Sequence, residues 1–195
     1  MLKFIDLMPT LNTIHIILMN KGELMKSADR IILDRYALKE ILDAEKAKGK
    51  KVVFTNGCFD ILHRGHIDYM EKSKLYGDIL VVALNTDASV KRLGKGSARP
   101  FNNINDRAFH MAGLRSVDYV TQFNEDTPME ILQILRPDVI VKGGDYSIAE
   151  IVGSDFVMAY GGAAHSIPFV EGCSTTSWLA SVQKKLEIEA SEKAV

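Results

Sequence analysis

The sequence predicts an α/β fold in which helices alternate with the strands of a doubly wound parallel sheet. Three observations carry this prediction. Short β-branched runs recur at 52–54, 79–84 and 139–141, and the second is too continuously apolar for a half-exposed strand. The segments between them have helical apolar spacing and cap residues. Polar turn formers follow the strands: Thr55-Asn56-Gly57, Asn85-Thr86-Asp87 and Lys142-Gly143-Gly144. Strand carboxyl ends are where open α/β sheets hold ligands, and right-handed crossovers would bring these three loops to one cleft.

Taken in order, Asp34 caps a helix to about Ala47 whose stripe is Leu38, Ile41 and Leu42. The charged stretch 45–51 ends it and Val52-Val53-Phe54 begins the first strand. A helix follows residue 63, with Ile67 and Met70 on one side and Gly77 as its C-cap. Asp78 to Leu84 is the second strand. Asn103 or Asn105 caps a helix through Arg107 and Met111 that ends near Gly113, and Val117 to Val120 is the third strand. Thr127-Pro128-Met129-Glu130 reads as a capping box with proline at the first helical position. Ile131, Leu132 and Leu135 form that helix's buried face, and Arg136-Pro137 stops it. Asp138 to Val141 is the fourth strand. A helix around Asp155 to Tyr160 ends at Gly161-Gly162, and Ala164 to Phe169 is the fifth strand. Ser174-Thr175-Thr176 opens a last helix with Trp178, Leu179, Val182 and Leu186 on one side. The expected division is an extension over 1–27, one domain over 28–187, and a polar, frayed tail over 188–195.

Composition narrows the function. A chain of 195 residues, 47% apolar and 25% charged, suits one soluble domain with a self-sufficient core. A net charge of −1 excludes a broad nucleic-acid surface. Two cysteines in unrelated contexts make no disulfide framework, so a reducing cytoplasm is the default. No uninterrupted apolar run of about 18 residues exists, which predicts no membrane span. Met1 to Asn20 is rich in Leu, Ile and Met but interrupted by Asp6, Pro9, Asn12 and His15. It reads as a strand or arm packing on the core or a partner subunit, or as sequence upstream of a true start at Met25. A secretory signal is the weaker reading, since the basic start and small-residue cleavage site are missing.

The chemistry concentrates in 52–66. A strand, a tight turn with Gly57, and then His63-Arg64-Gly65-His66 place two imidazoles where a loop feeds a helix N-terminus. Such a terminus offers unpaired N–H groups and partial positive charge to a phosphate. A histidine pair at this spacing is by itself more often a solvated surface feature; the strand–turn–helix context is what favours chemistry. Zinc is a poor alternative, because only Cys58 and the distant Cys173 stand near as further ligands and no Cys-x-x-Cys or His-Glu-x-x-His occurs. The basic, glycine-containing stretch Lys91 to Pro100 reads as a solvated loop or as a lid whose cations meet a triphosphate. Lys142-Gly143-Gly144-Asp145 is a plain glycine turn or a close approach to a ligand, with an acid suited to ribose hydroxyls. Ser174-Thr175-Thr176 is an ordinary cap or a second phosphate-binding helix start.

Gly57-Cys58-Phe59-Asp60-Ile61-Leu62-His63-Arg64-Gly65-His66 resembles the nucleotidyltransferases that carry a G-x-F-D-x-x-H-x-G-H segment. That resemblance implies a Rossmann-like sheet of the nucleotidyltransferase type and transfer of a nucleoside monophosphate from ATP or CTP to a phosphorylated acceptor. Asn85-Thr86-Asp87, Arg99-Pro100, Arg136-Pro137-Asp138, Val141 to Tyr146 and Gly172 to Thr176 sharpen it. Across about 28–182 the chain is similar to the D-glycero-β-D-manno-heptose 1-phosphate adenylyltransferases, and with no sugar-kinase segment ahead of it, to their stand-alone form. Cys173 departs from the pattern, where Tyr or Ile is expected before Ser-Thr-Thr.

The resemblance implies ATP and heptose 1-phosphate as substrates, Mg²⁺ bridging the phosphates, ADP-heptose as product for lipopolysaccharide core synthesis, and a homodimer. It assigns His63, His66 and Lys91 to catalysis. Thr55, Asn56, Gly57, Cys58, Phe59 and Gly65 would line the nucleotide, with Lys142, Gly143, Gly144 and Asp145 on the nucleoside and Ser174, Thr175 and Thr176 on the distal phosphates. Asp60, Asn85, Asp87 and Arg99 fall to the acceptor, the first three to sugar hydroxyls or to metal. No dedicated protein site for a resident metal is assigned. The alternative within the family is a CTP-dependent cytidylyltransferase acting on glycerol 3-phosphate. A nicotinamide-dependent dehydrogenase is excluded by the missing Gly-x-Gly-x-x-Gly after the first strand. A catalytically silent nucleotide-binding module is disfavoured by the intact histidines.

Overall fold

The computed structural model describes residues 25–94, 96 and 98–193. The expectations placed on residues 1–24, and on Lys95 and Ser97 of the basic stretch, lie outside them. Five strands form one all-parallel sheet: β1 (Val52–Gly57), β2 (Ile79–Asn85), β3 (Tyr119–Phe123), β4 (Val139–Gly143) and β5 (Ala163–Ile167). Their spatial order is β3-β2-β1-β4-β5. The chain therefore winds outward from β1 to β3, returns, and winds the other way through β4 and β5. The reversal lies between β1 and β4, and in such sheets a crevice opens there at the strands' carboxyl ends.

Alternation along the strands divides the core. Phe54, Val81, Ala83 and Ile140 face one layer with Leu38, Ile41 and Leu42 of α1 (Arg35–Lys46), Ile131, Leu132 and Leu135 of α5 (Met129–Leu135), and Val157 of α6 (Ser154–Ala159). Val53, Leu80, Val82, Leu84 and Val141 face the other with Tyr69 and Met70 of α2 (Arg64–Lys74) and Ala108, Met111 and Ala112 of α4 (Ile104–Ala112). Every residue of β2 is buried, as an inner strand covered on both faces must be. At the far edge, Ile31 bridges Val120 and the Arg30 guanidinium donates to the carbonyls of Leu114 and Val117, tying the chain before α1 to β3.

Several boundaries differ from expectation for tertiary reasons. Asp34 does cap α1, accepting from the Tyr36 and Ala37 N–H groups, and Asn103 rather than Asn105 caps α4. Gly77 is no C-cap: Leu75 holds that position in a right-handed conformation. Glycine is needed at 77 because a Cβ would lie 2.8 Å from the Lys51 carbonyl oxygen and from Val53 Cγ2. Ile67 is 42% exposed, and α2 buries Gly65, Tyr69, Met70 and Ser73 instead. The third strand starts at Tyr119, because the Asp118 carboxylate accepts from the Leu80 N–H. The box at Thr127 does not form. Pro128 is the N-cap of α5, and Glu130 lies 3.7 Å from Arg35, which also holds Glu125 at 2.8 Å. The C-terminal helix α7 (Thr175–Glu192) continues through the stretch expected to fray, and none of its residues is buried.

Candidate active site

β1 ends in a turn whose geometry is unusual. Gly57 admits the Phe59 ring, since a Cβ there would meet Phe59 Cε2 at 2.8 Å. Phe59 itself takes φ 44°, a left-handed backbone costly for a bulky residue. That bend folds its ring edge-on against His66, with centroids 5.2 Å apart. His63 is the N-cap of α2 and His66 the third helical residue, and their rings stack at 3.8 Å with 21° between planes. The Nδ1 atoms of both are buried and have no hydrogen-bond partner among the described residues. Buried polar atoms left unpaired are costly, so this arrangement is built for an incoming partner.

Burial holds both rings neutral. It lowers the His63 pKa and, with the His63 ring adding to it, pushes His66 down to about 4, against a hydrogen bond to the Ile61 backbone. The folded protein thus binds the His66 proton more weakly than the unfolded chain. The stability this neutral ring permits is complete above the ordinary value of 6.5 and is lost as the pH falls from there towards 4. The loss from this group is expected to reach about 3 kcal/mol. Urea denaturation of wild type and His66→Asn across pH 7 to 4 checks it: the acid loss should be shallower in the variant by about that amount.

A cleft of about 580 Å³ opens beside the pair. Asn56, Gly57, Cys58, Phe59, Asp60, His63, Gly65 and His66 line one side. Lys142 and Gly143 at the end of β4, Arg99, and Cys173 to Thr176 complete it. Two helix N-termini therefore meet here, that of α2 and that of α7. Gly65 makes the approach possible, because a Cβ would stand 3.0 Å from Cys173 Cβ and 3.1 Å from His63 Nδ1. At the other wall a Cβ on Gly143 would meet Phe169 Cε1 at 2.9 Å, and Gly144 has φ 125°. The Ser174 hydroxyl accepts from the Ser177 N–H as the cap of α7. Cys173, the departure from the family pattern, accepts from Arg64 Nε at 3.1 Å.

Other residues singled out in the sequence lie elsewhere. Thr55 is fully buried and its hydroxyl bonds Tyr69 OH at 2.6 Å beneath the cleft floor. Lys91 is exposed on the short helix α3 (Asp87–Arg92), and neither it, Gly144 nor Asp145 is among the residues lining this cleft. Asp60, on the cleft wall, spends its carboxylate on the N–H groups of Phe101 and Asn102 at 2.8 and 2.9 Å. Asn85 lines a second, smaller cavity and donates to Ser89 Oγ.

The residue that sequence reasoning passed over is Arg107. Its side chain is entirely buried, yet it donates to Cys58 O (2.8 Å), Asn85 O (2.8 Å), Asn102 O (3.0 Å) and Asp87 Oδ1 (2.7 Å). One guanidinium thus ties the β1 turn, the end of β2, the start of α3 and the entry to α4. Asp87, expected at the acceptor, is its counter-ion. Its signals in the sequence were the Asp106-Arg107 pair, which matches the family pattern, and a place on the side of α4 that carries Met111.

A profile of the cytidylyltransferase-like family matches residues 54–165. The bifunctional protein HldE of Trichlorobacter lovleyi is 48% identical over 160 residues, and that of Marinomonas sp. 56% identical over 146. These alignments cover 82% and 75% of this chain but 32% and 30% of those proteins, so the chain spans about a third of the length of the curated relatives it matches. A crystal structure of the lipopolysaccharide core biosynthesis protein from Thermoplasma volcanium superposes with a TM-score of 0.52 at 30% identity, covering 63% of this chain and 98% of that one. No helix among the described residues is long and apolar enough to cross a membrane. With the G-x-F-D-x-x-H-x-G-H segment lining the crevice between β1 and β4, the chain belongs to the cytidylyltransferase-like family.

Proposed function

We propose that the chain transfers AMP from ATP to D-glycero-β-D-manno-heptose 1-phosphate, giving ADP-heptose and pyrophosphate. The observation that carries this reading is the stacked His63–His66 pair, with two buried unpartnered Nδ1 atoms, in a cleft faced by a second helix N-terminus. Similarity to bifunctional HldE proteins supports the heptose acceptor. An oxygen of the acceptor phosphate attacks the α-phosphorus of ATP in line, and the bond to the β-phosphate breaks with its electron pair leaving on pyrophosphate. That oxygen is already anionic at neutral pH, so no strong general base is needed. Rate comes from positioning and from charge stabilisation.

His63 and His66, neutral before nucleotide arrives, donate N–H bonds to phosphate oxygens as charge grows. The β1 turn from Asn56 to Phe59 and the α2 N-terminus at Gly65 hold the α-phosphate. Lys142 to Asp145 take the nucleoside, and Ser174 to Thr176 the distal phosphates. Lys91 and Arg99 approach the triphosphate or the acceptor from the basic stretch. Mg²⁺ would arrive on the phosphates: among the described residues no group of three or more His, Cys, Asp or Glu is placed to hold a metal. Asp60, the one carboxylate on the described wall of the larger cleft, is committed to backbone N–H groups. The described residues form no metal cage of their own. Two free thiols at the site suit a reducing cytoplasm, and a homodimer is part of the proposal.

Pyrophosphate release tests it. Turnover is expected with ATP and heptose 1-phosphate. Turnover confined to CTP and glycerol 3-phosphate would contradict this reading and support a cytidylyltransferase instead.

A further inference from the structure

We propose that Asp60 is a positioning residue: its buried carboxylate clamps the end of the basic stretch 91–100 to the β1 turn and so holds Arg99 at the phosphate cleft. The inference rests on the transferase reading above and gives Asp60 a task other than contact with the acceptor.

Asp60 is 3% exposed and follows Phe59, whose left-handed backbone turns the chain beyond β1. A carboxylate buried this far needs hydrogen-bond partners. It finds them in the backbone at the far end of the basic stretch. The Phe101 N–H donates to both oxygens, at 2.8 and 3.0 Å, and the Asn102 N–H donates to Oδ1 at 2.9 Å. The Asn102 side chain donates in turn to the Asp60 carbonyl. From the other side the fully buried Arg107 donates to the Asn102 carbonyl at 3.0 Å and to the Cys58 carbonyl at 2.8 Å. Residues 101 and 102 are thus gripped between two buried charges of opposite sign. Both grips lead back to the turn that carries the histidines.

The residues just before are built differently. Leu93, Gly94, Gly96 and Ala98 are exposed, and the two glycines take φ 66° and 106°. At its near end the stretch is tied through Arg92, which donates to Asp126 Oδ1 at 2.7 Å and to the Asn124 carbonyl. An exposed chain between two ties is placed by the ties. Arg99 stands two residues before Phe101, is half-buried and lines the cleft together with His63 and His66. Its guanidinium lies 5.8 Å from the Phe101 ring centroid. Where 101 and 102 are pinned therefore sets where this cation meets the cleft. A charge that stabilises a transition state works when its place is fixed beforehand. Misplacement by about 1 Å can cost about a hundredfold in rate.

A double-mutant cycle tests the assignment, with steady-state pyrophosphate release measured for wild type, Asp60→Asn, Arg99→Ala and the double variant. Asp60→Asn keeps the shape and one acceptor oxygen but removes the charge that takes both amides. Each single variant is expected to lower kcat/KM about tenfold, and the double variant to fall within about twofold of Arg99→Ala, because Asp60 acts through Arg99. A merely structural role would lower the rate in both backgrounds. Losses that multiply to about a hundredfold overturn the proposal. So does a rise confined to the acceptor's KM in both backgrounds, which would make Asp60 a direct contact. Asn102→Ala removes only the side-chain donor to the Asp60 carbonyl, so it loosens the same clamp more gently. It is expected to show the same dependence on Arg99 with a loss of about threefold, and independence from Arg99 overturns the proposal here too. Hydrogen exchange of the ligand-free protein reads the clamp itself. The Phe101 and Asn102 amides are expected to exchange about tenfold faster in Asp60→Asn while those of β2 keep their rates. Unchanged exchange at 101 and 102 overturns the proposal. Faster exchange there, in a protein whose wild type releases no pyrophosphate from ATP, supports the clamp and overturns the transferase reading.

Discussion

Replacing His66 by alanine is expected to lower kcat by about 10²–10³ while ATP affinity falls far less, the signature of losing one preorganised donor to developing charge. The ring sits where nothing else can substitute for it. His63 stacks on one side at 3.8 Å and Phe59 meets it edge-on at 5.2 Å, so its direction is fixed before substrate binds. Preorganisation is also why the donor is held neutral, with its pKa down to about 4. A neutral imidazole costs less to bury than an imidazolium and still has one N–H to donate when negative charge appears beside it. Steady-state kinetics of pyrophosphate release, paired with calorimetric ATP binding, separates the two effects. Equal losses in binding and turnover would assign the ring to ground-state nucleotide binding instead.

Arg107→Ala is expected to destabilise the fold by about 3–5 kcal/mol, since removing one partner of a buried ion pair strands the rest. Here the stranded groups are the carbonyls of Cys58, Asn85 and Asn102, with Asp87 losing its counter-ion. Arg107→Lys should rescue little, because one ammonium cannot reproduce the planar fork that reaches four acceptors. The β1 turn would be released together with the loop after β2, so turnover should fall even where the variant remains folded. Urea denaturation gives the stability change, and kcat measured well below the transition gives the second. A variant as stable as wild type would show that these four contacts are replaceable by water.

The features legible in the sequence were those written in local chemistry. The β-branched runs, the Asp34 cap and the histidine pair each sit within one element, and the structure keeps them. The turn Gly57 to Asp60 was legible as a site, but not the left-handed Phe59 that bends its ring onto His66, because that conformation is imposed by packing against Gly57. The role of Arg107 was not legible for a related reason. Its burial depends on segments between 58 and 102 converging on α4, and local periodicity carries no such information. Glu130 reads as a box residue until the fold brings Arg35 of α1 to within 3.7 Å. Thr55 reads as phosphate-binding until Tyr69 is found above its hydroxyl.

Contact between the nucleotide's phosphates and the two imidazoles at the mouth of α2 can be read by side-chain ¹⁵N NMR of the histidines. On titration with ATP, the His63 and His66 ring nitrogens are expected to shift together, with the His66 pKa rising from about 4 as phosphate charge stabilises the protonated ring. Saturation with ATP that leaves both rings and that pKa unmoved would contradict it.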